Sequence, residues 1–447
     1  MLRSEKQSLQ GMEKRLYDRF RKSSDFTCRT VVIANEEFRA CYLESLVNLR
    51  TTLSTINQNT VQPDNDWTRQ DFHALEDEDD SVIRLSYELL RGNLILFNKE
   101  DSVTVIEPEQ PDISRSIAIP NSENPIQSAF DAFTEDIDRN IGLLRKKMIS
   151  DQLVIETRFI GGRSVKKLAV IYLEGTARPK VIESIRKSLD ENSDKELTTA
   201  RDLTRMLGHP KFAITPTYIS SELPTETVQN LMNGKVVILV DQLSFAFAFP
   251  AIVTDLWTTT MDANFPQIFQ VFLRIIRVGA TLLAVTLPGL YVVLNSVNPE
   301  LLRIQLAITV AKSREGVPYP SIIEMLLVLL LLEMIIEATI RLPKNIGPTI
   351  TMIGGILLGQ AIVQAKLVSN LLIIILVASA IANFAHTSYM NAIGIRIYKY
   401  VVMIASSFFG ILGLEGAMIW ITLYFASLTT CSVPYLSLSL KGQASDE

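Results

Sequence analysis

Apolar positions fall into two regimes along the chain. Up to about residue 250 they come in short stretches that alternate with polar residues or recur at helical spacing. Beyond it they come in long runs: residues 278–299, 346–365 and 367–385 carry no charge, and 401–426 carries one, Glu415. A helix that crosses the hydrocarbon core needs about 20 mostly apolar residues, and each run is long enough. The pattern predicts an α/β cytosolic N-terminal region followed by an all-α polytopic transmembrane domain at 268–430. About five helices are expected, at 272–295, 321–341, 346–365, 367–387 and 401–426. Residues 296–320 have mixed periodicity and fit either an interfacial or a re-entrant connector.

The first half contains pairs of segments with the same layout. Both 25-DFTCRTVVIANEEFRACYLESLVN-48 and 152-QLVIETRFIGGRSVKKLAVIYLEGTARPKVIESI-185 read strand, turn, strand, then Tyr-Leu-Glu and a helical stretch. Later, 92-GNLILFNKEDSVTVIEP-108 and 234-GKVVILVDQLSFAFAFP-250 each open on Gly, with Ser ten residues on and Pro sixteen residues on. Alternation on either side of a turn marks a β-hairpin. These echoes predict two related α/β subdomains, 22–110 and 150–250, joined by a linker and bridging helix at 111–149. In that helix Phe130, Phe133, Ile137, Ile141 and Leu144 recur at helical spacing.

Composition narrows the function classes. Of 447 residues, 48% are hydrophobic, and charge is concentrated in the first half. The first 20 residues are charged and lack the apolar core of a secretory signal, which predicts a cytosolic N-terminal region. Three cysteines without metal-type spacing predict reduced or isolated thiols. No cofactor, metal or nucleic-acid partner is expected, and no enzyme signature is present. Gly161-Gly162-Arg163-Ser164 does not have phosphate-loop spacing and reads as a hairpin turn. The acidic run 76-EDEDD-80 lacks calcium-loop spacing and reads as a solvated face at a helix start, where the macrodipole favours carboxylates.

The anomaly lies in 324-EMLLVLLLLEMIIEATIRLPK-344, an apolar span carrying Glu324, Glu333, Glu337 and Arg341. A charge at the bilayer centre costs about 2.5–3.5 kcal/mol on insertion scales. Glu333, Glu337 and Arg341 are spaced four apart and share one stripe, so that stripe is expected to face protein or water. These residues, with Glu324, are the candidates for an ion path or for a network that holds helices together. In the first span, Arg274 and Arg277 place its start on the cytosolic side. Pro288 and Gly289 predict a helix kink, whose freed carbonyl needs a partner inside protein. Gly355 and Gly359 offer a face for close helix contact. Alternation of basic loops predicts the N-terminus inside and the C-terminus outside.

The combination 313-SREGVPYP-320, 341-RLPKNIG-347, 359-GQAIVQAKLVS-369 and 433-VPYL-436 resembles the A subunits of bacterial spore germinant receptors, the GerA type. In the soluble half, 172-YLEGTARPKVIESIRKSL-189 and 234-GKVVILVDQLSFAFAFP-250 are similar to that family's second N-terminal subdomain. One departure is clear: 119-IPNSENPIQSAFDAFTED-136 keeps Phe133-Thr134-Glu135 but lacks the family's Arg-Gly-Pro. The resemblance implies an oligomeric protein of the spore inner membrane that works with a transporter-like B subunit and a lipoprotein C subunit. It also implies release of monovalent cations early in germination. Within that frame Glu333 and Glu337 are the candidate path residues, with Arg341 as their electrostatic partner. Ser313, Arg314, Glu315, Gly316, Pro318 and Pro320 are the candidate coupling loop. The alternatives are a non-conducting scaffolding or signalling subunit and, more remotely, a secondary transporter.

Overall fold

The computed structural model describes residues 12–33, 36–59, 69–72, 78–98, 103–108, 131–342, 347–386 and 388–440. Residues 76–77 of the acidic run, 119–130 of the departing linker and 343–346 of the 341–347 motif lie outside the described residues. Helix α1 (12–20) precedes a five-stranded antiparallel sheet of β1 (Phe26–Ile33), β2 (Glu36–Leu43), β3 (Arg69–Phe72), β4 (Leu94–Asn98) and β5 (Val103–Ile106). Its spatial order is β1-β2-β4-β5-β3. Helix α2 (Leu49–Asn59) leads from the first hairpin to β3, and α3 (Glu78–Leu90) leads from β3 to the second hairpin.

The second sheet repeats this plan. Its strands are β6 (Leu153–Ile160), β7 (Lys166–Leu173), β8 (Ile219–Ser221), β9 (Val236–Val240) and β10 (Ala246–Phe249), in the order β6-β7-β9-β10-β8. Before it comes α4 (Ile137–Lys147); within it come α5 (Pro179–Glu191), α6 (Ala200–Met206) and α7 (Pro224–Met232). The glycines matched in sequence do the same job in both sheets. Gly92 follows α3 and Gly234 follows α7, at φ +95° and +84°. The next amide bonds back to the helix in each case, Asn93 N to Glu88 O and Lys235 N to Asn230 O, both at 3.1 Å. This is a left-handed helix stop, which glycine adopts without steric cost.

Strand β9, VVILV, is buried along its whole length because both faces of its sheet are covered. Val236, Ile238 and Val240 pack with Val181, Ile185 and Leu189 of α5. Val237 and Leu239 pack on the other face with Ile141 and Leu144 of α4. The bridging helix is shorter than predicted. It starts at Ile137 behind Asp136, whose carboxylate accepts from the Asp138 and Arg139 amides. Phe133 lies outside the helix yet shares its buried cluster, and Phe130 lies outside the described residues.

Helix α4 also ties the two sheets together. Arg145 is fully buried; its Nε and Nη2 lie 3.1 and 2.9 Å from the Asp25 carboxylate, and Nη2 is 2.7 Å from Ser23 Oγ. Ser45 Oγ donates to Asp25 at 2.8 Å, and the Ser24 amide donates to Ile155 O of β6 at 2.7 Å. The cysteine expectation is corrected nearby. The β1–β2 register sets Cys28 directly opposite Cys41, and the two form a disulfide; Cys431 is free. Spacing in sequence carries no register, so the pairing was hidden until the hairpin was aligned.

The second half is helical: α8 (Gln267–Val292) runs into a π-helical turn (Val293–Val297), then come α9 (Ile304–Ser313), α10 (Ser321–Arg341), α11 (Gly347–Gln364), α12 (Asn370–Phe384) and α13 (Tyr389–Ser427). Among the described residues two helices are long and apolar enough to cross a membrane, α8 with its π turn and α13, where about five were expected. Residues 304–313 of the undecided connector form a helix with no buried residue.

Helix α13 breaks at Gly410 (φ 60°, ψ −137°) and doubles back. Tyr398 on the outgoing arm meets Phe425 on the returning arm, ring centroids 5.6 Å apart. Asn298 Oδ1 accepts from Ile411 N at the break at 3.2 Å, and any Cβ on Gly410 would overlap it. The chain after α13 then lies on the second sheet: Val433 and Leu440 join its core, and Val253 N donates to Tyr435 O at 2.8 Å. The expected exit of the C-terminal segment on the opposite side is therefore corrected. Pattern alone read 401–426 as one straight span, and the left-handed break at Gly410 reverses it.

Two outcomes follow for stability. Replacing Arg145 with Ala strands a buried carboxylate, and such losses run to about 3–5 kcal/mol; a urea unfolding midpoint should fall sharply, and less so in Asp25→Asn/Arg145→Ala. At the domain–bundle junction Asp262 pairs with Arg277, Nη2 to Oδ1 2.9 Å. Burial pushes the Asp262 carboxyl up, but the hydrogen bonds from Arg277 and Thr259 outweigh it, and its pKa lies below the ordinary value. A depressed folded pKa means that this contribution is present above about pH 4, the unfolded value, and is lost as pH falls through the folded one. Acid should raise proteolysis at 257–266, and Asp262→Asn should abolish that pH response.

Candidate functional site: charges inside the helical bundle

Each charge in α10 has a different fate. Glu324, in the first turn, is completely buried. Its Oε1 accepts from the Ser369 amide at 2.5 Å, and its Oε2 lies 3.3 Å from Tyr291 Oη and 3.5 Å from Arg314 Nε. Ser369 caps α12, accepting from Leu372 N at 3.2 Å, so the carboxylate also sits at a helix N-terminus, where the macrodipole favours negative charge. Tyr291 Oη and Ser369 Oγ are 2.9 Å apart and close the network. Glu324 thereby joins α8, α10, α12 and the loop carrying Arg314.

That loop is the predicted coupling segment. Ser313 Oγ donates to Val310 O at 2.7 Å and ends α9, while Arg314 Nη2 donates to Tyr319 O at 3.1 Å. Gly316 takes φ +90°, and a Cβ there would press on the Lys366 side chain at 3.0 Å. Pro320 starts α10, while Glu315 and Pro318 are exposed. One residue of the loop, Arg314, is tied to the buried carboxylate.

Lower in the bundle, Glu333 meets two cations of α13. Arg396 Nη1 lies 2.7 Å from its Oε2, and Lys399 Nζ lies 3.7 Å from its Oε1. Arg396 and Lys399 belong to the basic stretch 394-GIRIYKY-400, which carries no local sign of a carboxylate partner. Their helical phase on α13 relative to α10 was the missing signal. Glu337 takes Arg341 Nε and Nη2 at 2.9 and 2.7 Å, an i,i+4 pair whose side chains are 58% and 78% exposed in the single chain. The stripe predicted from spacing thus divides: Glu333 turns inward, while Glu337 and Arg341 stay on the surface.

Pro288 and Gly289 are both buried where α8 crosses α13. Proline donates no hydrogen bond to the carbonyl four residues back. That carbonyl, on Ala284, accepts instead from Ser379 Oγ of α12 at 3.0 Å. At Gly289 a Cβ would meet Ser406 Oγ at 2.8 Å, so this close helix approach requires glycine. Around Gly355 and Gly359 of α11 there is nothing within 4 Å of an added Cβ, so that face has no partner among the described residues. Glu415 is exposed on the returning arm of α13 and has no hydrogen bond or ion pair among the described residues.

The Glu324 network predicts a graded response. Arg314→Ala and Glu324→Leu each leave one side of a buried pair, and both should lower the melting temperature of the solubilised protein. Glu324→Leu should do more, because it also orphans the Ser369 amide. Equal melting temperatures for Glu324→Leu and the wild type would contradict a structural role for the network.

The sequence matches the family described as Bacillus/Clostridium GerA spore germination protein over residues 14–446. Similar proteins include spore germination protein GerLA of Bacillus cereus, 30% identical over 347 residues, covering 78% of this chain and 70% of that protein. Spore germination protein B1 of Bacillus subtilis is 33% identical over 323 residues, covering 72% and 67%. Spore germination protein KA of Bacillus subtilis is 27% identical over 430 residues, covering 93% and 78%. Among solved structures, the N-terminal domain of the A subunit of the Bacillus megaterium germinant receptor GerK3 aligns with 54% of this chain and 93% of its own, at 19% identity and a TM-score of 0.38. On the family match and these relatives, the chain belongs to the Bacillus/Clostridium GerA spore germination protein family.

Proposed function

We propose that the chain is the A subunit of a nutrient-responsive germinant receptor in the spore inner membrane, and that copies of it assemble to form or gate a monovalent-cation release path. The observation that carries this reading is the Glu337–Arg341 pair, a carboxylate and a guanidinium exposed on a helix of a membrane protein. Charges at that position are unfavourable against lipid and are accommodated against water or a neighbouring subunit. The unfilled glycine face of α11, next to α10 in the chain, supports contact with another copy. Rings of carboxylates are a recurrent device for admitting cations.

The three carboxylates then have separate roles. Glu337 faces the shared path, with Arg341 setting its local charge. Glu333 is neutralised within its own subunit by Arg396 and Lys399 and braces α10 against α13. Glu324 couples the Ser313–Pro320 loop to the bundle through Arg314. A transporter-like B subunit and a lipoprotein C subunit are the partners this reading implies. The pairing of Glu333 within the chain equally suits a subunit that only scaffolds the receptor, so conduction is the deciding property.

Ion flux from liposomes containing the protein, alone and with B and C subunits, separates the two. Glu337→Gln should change cation flux or selectivity in a folded, assembled protein. Glu333→Gln should act instead by lowering thermal stability. Absence of flux in every combination would leave the scaffold reading.

A further inference from the structure

A cleft of about 440 Å³ lies where the second sheet meets the bundle. Its walls come from both parts: Tyr218–Ser220 around β8, Glu226 at the start of α7, Asp255, Leu256, Thr258 and Thr259 before the first membrane helix, and Ser388–Asn391 at the start of α13. Among the described residues its lining contains two carboxylates, Glu226 and Asp255, and no lysine, arginine or histidine. Behind it stands Lys235, whose side chain is 3% exposed and whose Nζ lies 2.8 Å from Asp255 Oδ2. Glu226 also acts on this ammonium. Two carboxylates, Glu226 and Asp255, thus act on one buried ammonium. Glu226 Oε2 accepts from Ser221 Oγ at 2.7 Å.

A second cavity, of about 180 Å³, adjoins the first. Pro216, Leu256 and Asn391 line both. Beyond that shared wall the lining is apolar, with Leu282 and Val285 of α8 and Ile395, Ile421 and Phe425 of α13. A cleft lined by carboxylates and hydroxyls, with Ile219, Phe245 and Leu256 as its apolar wall, is complementary to one kind of molecule: a cationic head with a short apolar body.

We propose that this junction binds a small organic ammonium ion, its head on Glu226 and its body against Ile219, Phe245 and Leu256. Ser220, Thr258, Thr259 and Tyr389 supply hydroxyls around the head. A cleft of this size takes a small amine with a few carbons and not a two-chain aminophospholipid. Because the walls belong to the soluble sheet and to the start of α13, an occupied cleft fastens one to the other. The proposal concerns the soluble side of the junction and does not depend on conduction.

The test uses the full chain in nanodiscs of phosphatidylcholine and phosphatidylglycerol, titrated with n-butylammonium, n-butanol and butyrate and read by calorimetry and saturation-transfer NMR. Butylammonium should bind, butanol about tenfold or more weakly, and butyrate not at all, as expected for a charge-assisted contact. Glu226→Gln should lose about tenfold or more of the butylammonium affinity, and Glu226→Asp should retain most of it. Ser220→Arg, which keeps Glu226 but supplies a tethered guanidinium, should give the same loss, so the proposal stays open to refutation if Glu226→Gln does not fold. Equal affinity in wild type and the charge-removing variants, or butyrate binding as well as butylammonium, would overturn the site. Displacement of the probe by phosphatidylethanolamine added to the nanodisc would overturn the assignment to a soluble amine.

Discussion

A carboxylate cut off from solvent must receive every partner from the protein, because an uncompensated buried charge costs more than any single contact returns. Glu324 meets this requirement with a backbone amide, a phenol and a guanidinium drawn from three other parts of the chain. Removing any of them leaves the charge less compensated, so α8, α12 and the Arg314 loop must stay in register with α10. The soluble half obeys the same rule at Arg145 and Asp25, which bind α4 and the second sheet to the first. In both halves a buried ion pair fixes how elements sit relative to one another, and apolar packing supplies the bulk of the burial.

The helical half also shows how backbone interruptions find hydrogen-bond partners. Pro288 frees one carbonyl, and Ser379 takes it. Gly410 interrupts a long helix, and Asn298 takes the amide that follows. Each interruption has a polar side chain from a neighbouring element within hydrogen-bond distance, as a low-dielectric interior demands.

Much of this was legible in the sequence. The repeated Gly-Ser-Pro spacing corresponded to two sheets of identical strand order, because Gly92 and Gly234 occupy the same left-handed position after equivalent helices. The four-residue spacing of Glu337 and Arg341 gave their pairing, since that interval fixes neighbours on a helix. What sequence withheld was phase and register between distant elements. Nothing local indicates that Glu333 faces Arg396 and Lys399, that Cys28 faces Cys41, or that Gly410 turns its helix back. These depend on how separate segments align in space. The bridging helix was overextended for a related reason: Phe133 packs with the helix without belonging to it.

The reversal at Gly410 has a mechanical consequence. Segments flanking the second sheet hold the bundle at the entry of α8 through Asp262 and Arg277, at the outgoing arm of α13 through Thr215 and Tyr398, and beyond the returning arm through Val253 and Tyr435. Linkages arranged in this way act like springs in parallel, whose stiffnesses add, and not like springs in series, which yield at the weakest. A torque on the soluble domain is therefore delivered to both long helices at once. The bundle is built to move with the two-sheet domain as one lever, with little slack for a single helix to move by itself.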